Sequence, residues 1–377
     1  MKTVFIHFFD FASHNGISKK INSQVEALIQ NGVDTELCYI SIDKNGRQRR
    51  VCGKSVIDDF GNGVFAKIYK WFRFSNLTKY ILANNFDMVY IRSFYNVNPP
   101  MLEMLKDLHN AGIRIVMEYP TYPYDIETRN QPFNYSLIFL LNRIYRKQLY
   151  KYVDRIVTFT DLEKIHDIKT IRISNGVDFC TLPVKRKKEK SNTINLISVA
   201  EIHYWHGLDR VINGLGEYYD KDRPVSTEVN LTVVGEGDKR LIDSLIKLTI
   251  NLKLENHVKF VGYKSGEELD RLFEEADFGI ASLARHRSGI SKIKTLKNRE
   301  YAARGLPFIY SEEDEDFENM PYIIKAPPDD SPISIESLVE FYKTLNITPE
   351  EIRNTIISTL SWTTQMKKII DAINNFD

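Results

Sequence analysis

Short apolar runs recur along the chain, separated by longer stretches whose apolar positions follow helical spacing. In the first half the runs are Val4–Phe9, Glu36–Ile40, Met88–Ile91, Ile113–Met117, Arg155–Phe159 and Ile171–Ile173. In the second they are Ile194–Val199, Val229–Val234, Val258–Val261, Phe278–Ile280, Pro307–Ile309 and Tyr322–Ile324. They lack strict polar alternation, the mark of strands covered on both faces, as in parallel sheets. Segments such as Asn22–Gln30 and Leu208–Leu215 supply the crossover helices. Because this alternation runs through once and then repeats, it predicts an α/β protein with two Rossmann-like, doubly wound parallel-sheet domains. The first covers residues 1–182 and the second 193–348. The polar stretch 183–192 reads as a linker, and 349–377, which holds Trp362, as a helical tail.

Composition narrows the function without naming it. The 377 residues are 43% hydrophobic and 27% charged, with 51 basic against 50 acidic side chains, so no global field steers the chain to nucleic acid. Cys38, Cys52 and Cys180 are scattered and lack metal-ligand spacing, which suits reduced thiols in a cytoplasmic protein. The opening Met1–Ile6 enters a strand pattern directly, and the longest apolar run, Leu137–Leu141, is far shorter than the roughly 18 residues a spanning helix needs. Two stretches, Lys67–Phe74 and Asn142–Tyr152, interleave bases with aromatics; they read either as amphipathic core helices or as a peripheral contact with the inner face of a membrane.

Ligands in open α/β sheets sit beyond the carboxyl ends of the strands, so the loops there carry the chemistry. A dinucleotide fingerprint fails in both halves: Phe8–Gly16 has no Gly-x-Gly-x-x-Gly, and Gly235–Glu236–Gly237 meets Arg240 at the third glycine position. Gly235 remains a sharp turn beside the site. The most informative stretch is His286–Ile309, which reads as a loop entering a helix near Thr295 and closing at Gly305. Its tip offers unpaired backbone amides to an anion, and Glu300 stands where it can accept hydrogen bonds from a ribose. Together they describe a nucleotide site.

The pattern Leu296–Lys297–x–x–Glu300–Tyr301–x–Ala303–x–Gly305–x–Pro307 resembles the donor signature of family-4-type glycosyltransferases of the GT-B fold. Further landmarks come in that family's order: Asn15–Gly16, Asn175–Asp178, Trp205–Arg210, Val233–Gly237 and Phe260–Tyr263. The resemblance implies a donor domain and an acceptor domain facing a cleft, with the C-terminal helix returning to the first. It implies a nucleotide-sugar as substrate and no separate cofactor, and no metal requirement is expected. The amides of Thr295 and Leu296 would meet the diphosphate, Lys297 and Arg287 would add positive charge, Glu300 would take the ribose, and Gly262–Tyr263 would edge the base. On the acceptor side Glu118 would be the catalytic or orienting group, with Asn15, Gly16, Arg92 and Tyr122 around it. The acceptor would be a saccharide or a lipid-linked sugar of surface polysaccharide or glycoconjugate synthesis, and the stereochemistry retained.

Departures from the family cluster at the donor site. Glu201, His206 and Lys292 stand where many members carry Arg, Lys and Glu, so the trio sums to zero rather than +1 with His206 neutral. An altered donor sugar or a silent, nucleotide-binding homologue or partner subunit would each account for this; a GT-B epimerase or phosphorylase is the rival enzyme.

Overall fold

The computed structural model describes residues 1–11, 16–123, 133–220 and 225–375, and the chain divides into two compact units, Met1–Ser174 with Trp362–Asp377, and Asn175–Ser361. In the first, strands β1 (Lys2–Asp10), β2 (Asp34–Ile42), β3 (Gln48–Cys52), β4 (Ser55–Gly61), β5 (Met88–Arg92), β6 (Arg114–Tyr119), β7 (Arg155–Thr158), β8 (Lys164–Ile165) and β9 (Ile168–Arg172) build one sheet. Its helices are α1 (Gly16–Gln30), α2 (Gly63–Tyr69), α3 (Ser75–Ala83), α4 (Pro99–Asn110) and α5 (Phe133–Tyr145). The second unit holds β10 (Thr193–Val199), α6 (Leu208–Tyr219), β11 (Glu228–Val234), α7 (Lys239–Asn251), β12 (Val258–Phe260), α8 (Gly266–Glu275) and β13 (Phe278–Ile280). It continues with α9 (Leu296–Arg304), β14 (Phe308–Tyr310), β15 (Ile323–Lys325), α10 (Ile335–Thr344) and α11 (Pro349–Ile357), and α12 (Trp362–Asn374) follows.

Each expected run became a strand. The strand order β4-β3-β2-β1-β5-β6-β7-β9-β8 in the first sheet and β12-β11-β10-β13-β14-β15 in the second is that of doubly wound sheets. The second sheet is parallel throughout. The first is mixed at its margins, because β3 pairs antiparallel with β2 and β4, and β8 with β9. The β3–β4 hairpin gave no apolar run because its polar positions pair among themselves. Arg50 donates to Asp58 at 2.5 Å, and both are buried. Cys38 and Cys52, expected as separate reduced thiols, stand opposite each other in the β2–β3 register and form a disulfide; Cys180 is exposed and free.

Both faces of each sheet are covered. In the first unit Val4, Ile6 and Phe8 of β1 point to the layer made by α3, α4 and α5, while Phe5 points to α1 and α12. In the second, Ile194 and Leu196 meet α6 and α10, and Ile197 faces α9 and α11.

Domain boundaries shift from those expected. Residues 183–192 run along the second unit rather than linking two: Lys185 is buried with its amide on the Arg304 carbonyl at 2.9 Å, and Lys190 donates to the Lys343 carbonyl at 2.9 Å. The helical tail is two helices with separate loyalties. Thr348 and Glu351 form a capping box that starts α11, which packs on α9, whereas α12 buries Trp362, Met366 and Ile369 against the first unit. The packing of Trp362 is tested by Trp362→Ala: losing this buried ring costs about 3–5 kcal/mol. Urea unfolding should show a lower midpoint, and an unchanged one contradicts the packing described.

Candidate functional site

Helix α9 starts at Thr295 and stops at Gly305, as its sequence demands. Gly305 is left-handed at φ +76°, and a Cβ there would lie 2.5 Å from Pro349, so glycine both caps α9 and admits α11. Thr295 makes no side-chain cap; its hydroxyl instead reaches Glu312 Oε1 at 3.4 Å. The first amides of α9 therefore lack a side-chain partner at the end where the helix dipole is positive.

Beneath this tip lies a cluster of buried charge. Lys297 Nζ is shielded from solvent and has no hydrogen-bond partner among the described residues; burial, then Arg285, push its pKa down to about 7, against the pull of Glu312. Glu312 is 1% exposed with Oε2 unpartnered, and burial pushes its carboxyl up to about 7. His206, in a 3-10 turn at Tyr204–His206, accepts from the His203 amide through Nδ1 at 3.1 Å. Burial, then Lys297 and Arg285, hold it far below the ordinary imidazole range, so it is neutral. The charge that His206 does not restore is thus carried by Lys297 and Arg285, whose guanidinium lies over the Trp205 ring at 5.4 Å.

Why α9 holds its place is legible in the acidic run Glu312–Glu318. Arg299, fully buried, donates to Asp314 at 2.5 and 2.9 Å, to Asp316, to the Asn175 carbonyl at 3.1 Å and to the Thr295 carbonyl at 2.9 Å. Asn175 in turn donates to the Lys294 carbonyl at 2.6 Å. A buried arginine fork with paired carboxylates is costly to break, about 3–5 kcal/mol. Lys292 pairs with Glu315 at 2.8 Å.

The remaining donor-side residues divide. Glu300, on the flank of α9, accepts from Arg304 Nε at 3.0 Å and stays partly exposed. Gly235 has φ +130°, and a Cβ there would lie 1.7 Å from the Ala200 carbonyl oxygen, so only glycine fits. Its amide donates to the Gly262 carbonyl at 2.8 Å, tying the loops after β11 and β12 together; Gly262 is left-handed, with open space at its Cα, and Tyr263 is exposed. Leu296 is exposed at the tip. Arg287 departs from its expected role. Its guanidinium grips Asp209 at 2.9 and 2.8 Å and Asp330 at 2.7 Å, so two carboxylates already neutralise it. These bonds raise its pKa further and make it a brace rather than a phosphate clamp.

In the first unit Glu118 also differs from its expected catalytic role. It is fully buried and accepts from Gln24 at 2.7 Å, from Tyr90 at 2.7 Å and from Arg92, with Lys20 Nζ 3.8 Å away. Burial alone would raise its pKa, but Lys20, Arg92 and the two hydrogen bonds outweigh it and keep it below the usual carboxylate range. With every face taken, Glu118 organises the ends of β5 and β6. Arg92 is buried with it, and His7 is driven down to about 4 by burial and Arg92. Tyr122 stacks beside Tyr119 with centroids 6.2 Å apart. Asn15 and His14 lie outside the described residues, and Gly16 begins α1. Sequence reasoning missed Arg285 and Glu312; each lay inside a segment rich in its own charge, and nothing in the spacing marked which member turns inward.

Residues 183–312 match the family model of glycosyl transferases group 1. A search of curated proteins by sequence gave no match. Among solved structures, the chain is similar to a glycosyltransferase from Rickettsia africae, at TM-score 0.66 and 14% identity over 100% of this chain and 99% of that one. It is also similar to sucrose-phosphate synthase from Thermosynechococcus elongatus, at TM-score 0.67 and 11% identity over 99% and 98% of the two chains. A third likeness is to HepE of Anabaena in complex with UDP-glucose, at TM-score 0.60 and 13% identity over 100% of both. The chain thus has the two-unit GT-B fold of these structures, and its second unit contains the stretch similar to glycosyl transferases group 1.

Proposed function

We propose that the protein transfers a sugar from a nucleotide-sugar to a hydroxyl of a saccharide or lipid-linked acceptor, with retention, in surface polysaccharide or glycoconjugate synthesis. The observation that carries this is the unpartnered ammonium of Lys297 beside the uncapped tip of α9. Burying an ammonium without a partner is unfavourable unless something else is to sit there. A diphosphate fits: it takes the amides of Thr295 and Leu296, and Lys297 with Arg285 offsets the charge that gathers as the sugar leaves. The chain's own cations meet that charge, so no metal is required. Glu300 takes the ribose, and Gly262 and Tyr263 edge the base. The similarity to a structure holding UDP-glucose and to a starch synthase structure holding ADP supports a nucleotide-sugar as the donor. The fused ion pair Lys292–Glu315 favours a second reading, donor binding without transfer. Sugar transfer or donor hydrolysis by the purified chain decides between them.

Two measurements test the donor site. In thermal-shift assays with UDP-, GDP-, ADP- and CMP-sugars, at least one donor should raise the melting temperature. Glu300→Ala and Lys297→Met should abolish that shift. Lys297→Met should also stabilise the unliganded protein by about 1–3 kcal/mol, since it removes an uncompensated buried charge. A variant that melts lower yet keeps the ligand shift would sink the assignment.

Affinity should also depend on pH. As pH rises from 6 to 8, Lys297 loses its proton near 7 and Glu312 loses its own in the same range, and both changes make the pocket less positive. The diphosphate of a nucleotide-sugar does not titrate there, so its dissociation constant, measured by calorimetry, should rise at least about tenfold. A flat profile, or tighter binding at high pH, contradicts the role of Lys297.

A further inference from the structure

The first unit carries an apolar surface that its own fold leaves bare. On α2 only Ala66 is buried, while Phe65 is 69% exposed with Val64 and Ile68 beside it. Helix α5 buries Ile138 and Phe139 and turns Leu137, Leu140 and Ile144 outward, Leu137 at 58% exposure. The two helices lie on the same side of the sheet and share one aromatic node. Trp71, just after α2, stacks on Phe94 at 5.3 Å, and Phe94 meets Phe139 of α5 at 5.8 Å. Phe94 follows the carboxyl end of β5, so the patch adjoins the ligand end of the sheet.

Charge says what covers it. Residues 60–86 contain Lys67, Lys70, Arg73 and Lys79 and no acidic residue; residues 133–153 contain Arg143, Arg146, Lys147 and Lys151 and again none. In a chain of 51 bases and 50 acids, two such segments meeting at one surface are a local excess of cations. Of the neighbouring carboxylates, Asp58 pairs with Arg50 and Asp59 with Arg47, and Asp10 acts on the buried Lys70. The adjoining α4 adds Glu103 and Asp107 with Lys106 between them. Lys67, Arg73, Arg143 and Lys147 are exposed around the apolar side chains. Bare aromatics and aliphatics ringed by lysine and arginine match a bilayer interface, where apolar groups enter the acyl boundary and cations meet lipid phosphates. A second copy of this surface would place like charges together.

We infer that α2 and α5 seat the first unit on an anionic lipid surface, with the ligand ends of β1 and β5 held close to the headgroups. This contact does not rest on the donor assignment, and no helix among the described residues is long and apolar enough to cross a bilayer. The full chain should float with vesicles in which about a third of the phosphatidylcholine is replaced by phosphatidylglycerol, and far less with phosphatidylcholine alone. High salt should weaken the binding. Phe65→Ser with Leu140→Ser, and separately Lys67→Glu with Lys147→Glu, should each reduce it at least about tenfold while the circular-dichroism melt is unchanged. Every altered side chain is exposed, so folding is not at stake. Absence of flotation on anionic vesicles, or binding indifferent to both double variants, overturns the inference. So does a dimer in solution that the Phe65→Ser/Leu140→Ser variant dissolves, since a second copy would then own the surface.

Discussion

The second unit holds, at the start of α9, a buried ammonium with no hydrogen-bond partner among the described residues. Lys297 Nζ sits in the first turn of α9, beside amides that the helix cannot satisfy and a carboxylate that burial has made reluctant to ionise. Left alone, such an arrangement is unfavourable, and the molecule tolerates it only because the surroundings are fixed independently. Arg299 supplies that fixity. Its five donors are used on Asp314, Asp316 and two carbonyls, so the helix is pinned from its buried side while its tip stays open. Gly235 and Gly305, each at a place where a Cβ would collide with backbone, bring the neighbouring loops and α11 close enough to hold the rest.

The same logic separates braces from working groups. Glu118 looked like chemistry in one dimension because it is a charged residue at a strand end, and Arg287 because it is a cation in the loop leading to α9. Folded, each has its charge answered by several partners, and a group answered that fully has little left for a substrate. Lys297 is the converse: an unremarkable lysine in sequence, yet one whose buried ammonium has no hydrogen-bond partner among the described residues.

The sheets, the helix at residues 296–304 and the glycines that shape it were legible because they follow from local periodicity and from backbone conformations few residues adopt. The β3–β4 hairpin was not, since its stability comes from cross-strand pairs such as Arg50–Asp58 rather than an apolar run. Nor was the division at Ser174, because the polar stretch after it earns its place through backbone bonds to Arg304 and Lys343. At the site, spacing placed Thr295, Leu296, Lys297 and Glu300 on one helix. It said nothing of Glu312 or Arg285, or of the 78-residue separation across which Asp209 finds Arg287.

The most direct test of this account is the titration of Lys297 itself, followed by NMR on selectively labelled lysine with the Lys297→Met protein used for assignment. The unliganded chain should show one lysine titrating near 7, and a bound nucleoside diphosphate should move it upward by more than about one unit, because an adjacent anion favours the charged form. A value near that of a free lysine, or one that the nucleotide leaves unmoved, would contradict the claim that this ammonium waits for a phosphate.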